Sequence, residues 1–338
     1  MRFLIVGLGS MGKRRVRNLQ HLKAGEIAGF DPRADRRDEA QSKYSIPTFA
    51  DFDEALASFR PNALIISTPP DLHVKYAKRA LESNCHFFSE ASVVDDEMDE
   101  LISVANDRPK LVAAPSCTMR FHPSIQAIKQ IVDSETFGRP LLLTYQSGLW
   151  LPDWHPWEDY RSFYVAKRVT GACREIVPFE LSWLTWLLGP VEFVTGMRGK
   201  LSSLDVDIDD AYQVLLQFRS GLLGHVLVDV ISRAPVRSFR LSSDQATIEW
   251  DAMLKTVRLF RADTKEWEVI PEPEQIKEPG YITAENLYIE EMRAFVDACA
   301  GRKQWGYSLT EDKRMLDLLA AIEQSWDNHT QIQMNESA

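Results

Sequence analysis

Short apolar runs alternate with amphipathic stretches over the first third of the chain, and the two rhythms predict different elements. Residues 3–6 are a β-branched and aromatic run, long enough for a strand buried on both faces. A helical pattern of Met11, Val16 and Leu19 follows at once. Residues 26–30 read as a second buried strand, and the charged residues 33–43 as a solvent-facing helix. Another buried strand at 62–67 runs into Thr68-Pro69-Pro70, which cannot continue regular structure. A helix is expected from Asp71, a natural N-cap, with Tyr76, Ala77, Ala80 and Leu81 on one face. A strand at 85–89, a helix near 95–106 and a strand at 111–114 extend the series. Such alternation predicts a parallel sheet covered on both faces.

After about residue 119 the pattern changes. Ile125, Ile128, Ile131 and Val132 share a helix face, and a strand is expected near 141–145. Residues 149–164 are aromatic and irregular, and 179–188 form an apolar helix stopped by Gly189-Pro190. From 191 to 270 the period shortens to two. Tyr212, Val214, Leu216 and Phe218 alternate with Gln213 and Gln217, Ser220-Gly221 turns, and another strand follows. Residues 271–280 read as a Pro/Glu-rich loop. Two helices close the chain, the second opened by the capping box Ser308-x-x-Glu311. The expected fold class is α/β: a first domain over 1–118, and a second α/β domain over 119–338 with an open, mostly antiparallel sheet. Whether helix 309–326 packs back on the first domain stays open. All nine tryptophans lie at or beyond Trp150, which suits two domains with different tasks.

Composition narrows the function. The 338 residues suffice for about two domains with real cores. A hydrophobic content of 45% and a charged content of 26% are those of an ordinary globular protein. The net charge of −10 argues against a nucleic-acid partner, which requires a basic face. No apolar run approaches the roughly 20 residues of a membrane span. Met1 leads straight into the first strand, leaving no room for a signal peptide. The four cysteines are scattered, and neither they nor the seven histidines show metal-ligand spacing. A cytoplasmic protein without a metal is expected.

The strongest chemical signal lies between the first strand and the first helix. Gly7-x-Gly9-Ser10-Met11-Gly12 supplies a glycine for the tight turn, one for close approach of the backbone to a pyrophosphate, and one for close helix–strand packing. Asp31 ends the second strand, 19 residues beyond Gly12, where a carboxylate meets ribose hydroxyls. Such a carboxylate favours NAD and repels the 2′-phosphate of NADP, although Arg33 nearby can pair with that phosphate. Capping of the next helix is the alternative role of Asp31. Ligands bind beyond the carboxyl ends of parallel strands. That rule gathers the glycine loop, Asp31, Ser67, Thr68, Pro69, Glu90 and Ala91 around one crevice.

The chain resembles the glucose–fructose oxidoreductase / inositol dehydrogenase (Gfo/Idh/MocA) family. The resemblance rests on residues 7–12, on Ser67-Thr68-Pro69-Pro70-Asp71-Leu72-His73, on Met119-Arg120-Phe121-His122-Pro123, and on the helix ending Leu187-Leu188-Gly189. It implies a Rossmann domain, then an α/β domain whose open sheet often mediates oligomers, here a homodimer or homotetramer. It also implies oxidation or reduction of sugars, sugar nucleotides or cyclitols with NAD(P). His73 would then belong to the cofactor site, and Arg120, Tyr164 and Lys167 to the substrate site.

Two family signatures are altered. The usual Glu-Lys-Pro is Glu90-Ala91-Ser92, without the lysine. The usual Asp-x-x-x-His falls on residues 175–179: Glu175 stands for the aspartate, and Phe179, or Glu180 if the register slips, for the histidine. Oxidising a hydroxyl requires a base within hydrogen-bond reach. Glu175 and Glu180 lie on an apolar stretch where burial would raise a carboxylate pKa, and His155 is the third candidate. A structural ion pair of the two glutamates with Arg174 or Lys167 is the competing role. Around His155, the residues Trp154, Trp157, Tyr160 and Arg161 can stack on a sugar ring and fork onto an anion, or simply pack a long loop. Two functions are therefore carried forward: a sugar-type dehydrogenase or reductase, and a dinucleotide-binding protein without net redox turnover.

Overall fold

The computed structural model describes residues 1–134, 136–276, 278 and 284–335. They divide into two compact units, Met1–Thr118 with Glu285–Lys313, and Met119–Ala284 with Arg314–Ala338.

The first unit opens with β1 (Arg2–Val6), α1 (Ser10–His21), β2 (Glu26–Phe30), α2 (Ala34–Tyr44), β3 (Thr48–Phe49), α3 (Phe52–Phe59), β4 (Ala63–Ile66), α4 (His73–Glu82), β5 (His86–Ser89), α5 (Met98–Asn106) and β6 (Ala113–Pro115). All six strands are parallel, in the order β3-β2-β1-β4-β5-β6. The order reverses at β1 and β4, the switch point where such sheets bind ligands. Phe3, Ile5, Ile65 and Phe88 are wholly buried in one core. Each such side chain contributes about 1.5–3 kcal/mol by leaving water.

Two expectations are corrected here. Asp71 does not cap α4. It lies inside a 3-10 turn, Pro70–Leu72, and α4 starts at His73 without a side-chain cap. Pro70, with its fixed φ, starts the turn one residue earlier. The helix expected from 95 begins at Met98, behind Glu97 at φ 60°. The short β3 and the helix α3, capped by Asp51 accepting the Glu54 N–H at 2.8 Å, carried too little periodicity to be read.

The second unit contains α6 (Pro123–Val132), β7 (Pro140–Trp150), a single turn α7 (Leu151–Trp154), α8 (Ala172–Leu188), β8 (Val191–Gly199), β9 (Ala211–Phe218), β10 (Leu223–Asp229), β11 (Ile231–Ser243), β12 (Ala246–Asp251), β13 (Thr256–Arg261) and β14 (Glu266–Pro271). Of the expected loop 271–280, positions 277, 279 and 280 lie outside the described residues. The chain then returns to the first unit with α9 (Asn286–Cys299), whose Met292 and Phe295 enter the core of that unit. Helix α10 (Leu309–Asn328) opens with the reciprocal capping box. Ser308 N–H reaches Glu311 Oε2 at 2.8 Å, and Glu311 N–H reaches Ser308 Oγ at 3.1 Å. A two-residue strand, β15 (Ile332–Gln333), ends the regular structure.

The second sheet runs β14-β13-β12-β11-β7-β10-β9-β8-β15. It is antiparallel except where β7 meets β10. Tyr145, Phe239, Trp250 and Val226 point to the packed face, where Trp183 meets Tyr145 edge-on at 5.3 Å. The alternate positions Leu142, Met197, Leu215, Leu223, Trp267 and Val269 are exposed on the other face.

Helix α8 corrects a third expectation. It starts at Ala172 rather than 179, with Pro178 inside it. Proline removes one backbone bond there. Burial of Ile176, Val177 and Leu181 on both sides outweighs that loss. Glu175 and Phe179 therefore share a face at i and i+4, and Glu180 projects elsewhere.

Candidate functional site

In the first unit, the loop from β1 to α1 is shaped by contacts that only glycine tolerates. Gly7 has φ 94°, and a Cβ there would lie 2.6 Å from the Ser67 carbonyl oxygen. A Cβ on Gly12 would lie 1.8 Å from the Gly7 oxygen. Gly9 meets only the tip of Arg36, at 3.4 Å. Ser10 and Met11 begin α1, whose N-terminal end is the positive end of the helix, where an anion is favoured.

Asp31 is 2% exposed at the end of β2. Its Oδ2 accepts the Leu8 N–H at 2.8 Å and its Oδ1 the Arg33 N–H at 2.9 Å, so it ties the glycine loop to the next turn. It is not the cap of α2, a position held by Arg33. The Arg33 guanidinium turns outward onto Asp35 at 2.6 Å.

At the end of β4, Ser67 Oγ donates to Glu90 Oε1 at 3.0 Å. Thr68 Oγ1 is buried without a hydrogen-bond partner. His73 Nε2 bonds the Thr68 carbonyl at 2.9 Å, and burial holds this imidazole below its ordinary pKa, neutral at pH 7. His73 is thus a brace for the segment carrying Thr68 and Pro69. A glycine cradle together with an orphaned hydroxyl at the switch point fits a dinucleotide.

Glu90, at the end of β5, is held by a residue the sequence reading passed over. Arg15 donates Nε to Oε1 at 2.8 Å and Nη2 to Oε2 at 2.7 Å. The same Nη2 lies 2.9 Å from Glu291 Oε2 on α9. Glu291 also accepts from Ser116 Oγ, Cys117 N–H and Thr118 Oγ1. Burial works against the charge of Arg15, but Glu90 and Glu291 outweigh it and raise its pKa. Burial raises the Glu291 carboxyl, partly offset by Arg15. The available signal was a charge at position 15 on the same helix as the glycine motif. Ala91 follows Glu90 with no amine to offer.

In the second unit, the three candidate bases have different surroundings. Glu180 is fully buried, and its oxygens accept from Tyr145 Oη (2.7 Å), Trp183 Nε1 (2.8 Å), Ser147 Oγ (3.1 Å) and Arg237 Nη2 (2.6 Å). Its ion pair is with Arg237, while Arg174 binds Glu323 at 2.7 Å. Glu175, in the first turn of α8, accepts from Tyr164 Oη at 3.3 Å. Tyr164 is fixed by Thr170 Oγ1, which donates to its carbonyl at 2.7 Å. The ring of His155 is stacked between Trp157 and Phe163, with centroids at 5.2 and 5.4 Å.

The remaining expected contacts are distributed as follows. Trp154 lies tilted on His155 at 5.8 Å, and Trp157 is 51% exposed. Arg161 forks onto Asp159, and Tyr160 Oη accepts the Asp205 N–H at 3.3 Å. Arg120 is buried and donates Nη2 to the Ser182 carbonyl at 3.0 Å, anchoring α8. The Lys167 side chain is exposed, while its N–H closes a turn onto the Tyr164 carbonyl at 3.1 Å. Among the described residues no three His, Cys, Asp or Glu side chains form a metal-binding group, and no helix is long and apolar enough to cross a membrane.

Comparison with known proteins identifies the family and the fold. Residues 1–114 match the family model described as "Oxidoreductase family, NAD-binding Rossmann fold", and residues 125–249 match the GFO/IDH/MocA C-terminal domain. The 4-carboxy-2-hydroxymuconate-6-semialdehyde dehydrogenase of Sphingobium sp. is 29% identical over 131 residues, 38% of this chain and 42% of that protein. Levoglucosan dehydrogenase, solved with NADH, has the same fold with a TM-score of 0.86 at 17% identity, over 99% of both chains. Myo-inositol 2-dehydrogenase from Lactobacillus plantarum superposes with a TM-score of 0.83 at 15% identity, also over 99% of both.

Proposed function

The chain belongs to the Gfo/Idh/MocA oxidoreductase family, and we propose that it oxidises or reduces a sugar, sugar nucleotide or related polyol with NAD(P). The observation carrying this reading is the glycine cradle at the switch point, with Asp31 bonded to Leu8 beside it. When bound, the nicotinamide supplies hydride acceptance or donation. Gly7, Gly9 and Gly12 let the backbone approach the pyrophosphate, the start of α1 faces its charge, and Thr68 Oγ1 offers a hydroxyl. NAD is the expected cofactor.

We assign proton transfer to Glu175 in partnership with Tyr164. Glu175 accepts the phenol hydrogen, so a proton taken at Tyr164 Oη passes to the carboxylate. Support comes from the other two candidates: Glu180 is committed to four donors, and His155 is held between two rings. Trp154, Trp157, Tyr160 and Arg161 form the sugar-facing loop in this reading. The exposed apolar sheet face is assigned to a homodimer or homotetramer, and a reduced cytoplasm suits the free cysteines.

The test is calorimetric titration with oxidised and reduced NAD and NADP, repeated on Asp31→Ala. Binding that is lost in the variant, followed by turnover with a sugar or sugar nucleotide, is the expected result. Absence of binding to any form, with no cofactor released on denaturation, would sink the reading. Ala91 and Phe179 favour a second reading, in which the dinucleotide is held without net oxidation. Cofactor reduction by the unaltered protein with any sugar disposes of that alternative.

A further inference from the structure

Resting on the assignment of proton transfer to Tyr164 and Glu175, we propose that residues 200–210 are an ionic strap, released by salt, that holds Tyr164 in front of Glu175. Arg168 is its positioning residue. Tyr164 belongs to a stretch built of two single 3-10 turns, Tyr160–Ser162 and Tyr164–Ala166. Between 160 and 170 only Val165 and Thr170 are buried, so little apolar packing fixes this stretch. What ties it down is polar and comes from the connection between β8 and β9. Arg161 Nη1 stands 3.4 Å from Asp205 Oδ2, while the rest of its fork holds Asp159. Tyr160 Oη accepts the Asp205 N–H. Arg168 Nη2 donates to Asp207 Oδ1 at 2.5 Å, and its Nη1 lies 3.4 Å from Asp209 Oδ1.

The strap itself is anchored from inside. Asp210 is wholly buried and accepts from the Leu201 N–H at 2.7 Å, the Ser202 N–H at 3.0 Å and Ser202 Oγ at 2.6 Å. Arg198 on β8 holds Asp209 at 3.1 Å. The buried Ile208 comes so close to Gly171 that a Cβ on that glycine would lie 2.9 Å from it. Gly171 is the N-cap of α8, and Glu175 lies in the first turn. One connection therefore meets both the stretch that carries Tyr164 and the helix start that carries Glu175. Anchor and bridges differ in their contact with water. The side chains of Asp205 and Asp207 are 82% and 84% exposed, and those of Arg161 and Arg168 are each 52% exposed. Salt screens such outer pairs as the Debye length falls from about 10 Å at about 0.1 M to about 3 Å at about 1 M, and buried Asp210 much less. The bridges can thus open while the anchor stays.

Hydrogen exchange of the full chain, read by mass spectrometry on peptides spanning 159–171, tests the strap without any substrate. Exchange there should quicken about tenfold from about 0.05 M to about 1 M sodium chloride, while peptides from β9 keep their protection. Arg168→Gln should quicken it about threefold at low salt and blunt the response to salt. Arg168→Lys, which keeps the charge and loses the fork, should lie between. Asp207→Asn should add nothing on top of Arg168→Gln, because both remove one bridge. The readout particular to positioning is kinetic. With a sugar that the unaltered chain turns over, Arg168→Gln should lower kcat about fivefold and leave both the NAD(H) titration and the unfolding midpoint unchanged. Exchange indifferent to salt and to Arg168→Gln would overturn the proposal. Faster exchange with undiminished kcat would overturn it too, leaving the bridges as surface decoration. If the unaltered chain binds the dinucleotide and turns over no sugar, the assignment of Tyr164 and Glu175 falls, and this proposal with it, whatever the exchange shows.

Discussion

Arg15 and Glu90 meet through two parallel hydrogen bonds, at 2.8 and 2.7 Å, with the guanidinium wholly out of water. The pair binds the first helix after the glycine loop to the end of β5. Glu291 on α9, wholly buried like Arg15, completes a triad. Removing the arginine alone leaves the buried Glu291 and the partly buried Glu90 carboxylates without their cation. Arg15→Met is expected to destabilise the protein by about 3–5 kcal/mol, read from the denaturant midpoint. Combining it with Glu90→Gln and Glu291→Gln should recover part of that loss, because the uncompensated charges are gone.

Glu175 and Glu180 are expected to separate in mutation. Glu175→Gln should lower turnover roughly a hundredfold or more while leaving the unfolding midpoint close to the unaltered value. Glu180→Ala strands Tyr145, Trp183 and Arg237 without their acceptor, so stability should drop by about 3 kcal/mol. Parallel steady-state kinetics and denaturant titration on the two variants check both statements. Equal effects on stability would contradict the division of roles.

His122 gives the second unit a dependence on acid. Burial, assisted by Arg237, pushes its pKa from 6.5 down to about 4. Its Nδ1 accepts the Ser124 N–H at 3.2 Å at the start of α6. Glu272 stands 3.7 Å from Nε2, beyond hydrogen-bond reach, and does not offset the burial. The folded state therefore prefers the neutral ring. The stabilisation is present above pH 6.5 and is lost as pH falls from 6.5 toward 4, by up to about 3 kcal/mol. Unfolding measured across that window should show a slope that His122→Asn, which keeps a capping acceptor, flattens.

The exposed sheet face supplies an association test. Leu142 and Leu223 are each 54% exposed and paired in register on β7 and β10. Replacing both by glutamate puts like charges side by side at the proposed subunit contact. Sedimentation should then show the oligomer reduced to monomers with the fold intact by circular dichroism. An unchanged sedimentation coefficient would remove this face from consideration.

The first unit was legible where its signals were local. Apolar runs and the glycine spacing each act within a few residues, and β1, the turn and α1 stand where that pattern required. The first seven residues of α8 were not legible, because Pro178 disfavours a helix locally while the burial of Ile176 and Leu181 that holds it comes from distant parts of the chain. Arg15 and Glu291 lie far apart in the chain, and nothing in either neighbourhood announces the other. Glu180 could not be told from Glu175 by sequence, because its donors Tyr145 and Arg237 arrive from two other strands. The strands β3 and β15, at two residues each, are too short for any period to show.

The return of α9 to the first unit fixes an order of assembly. Met292 and Phe295 complete a core that begins at Phe3, yet a ribosome makes them only after strands β7 to β14 of the second sheet. The core of the first unit is thus opened by β1 and closed by a helix that lies beyond an entire intervening unit in the chain. A nascent chain halted before Glu285 would hold every glycine of the cradle and still lack the helix that buries Phe88.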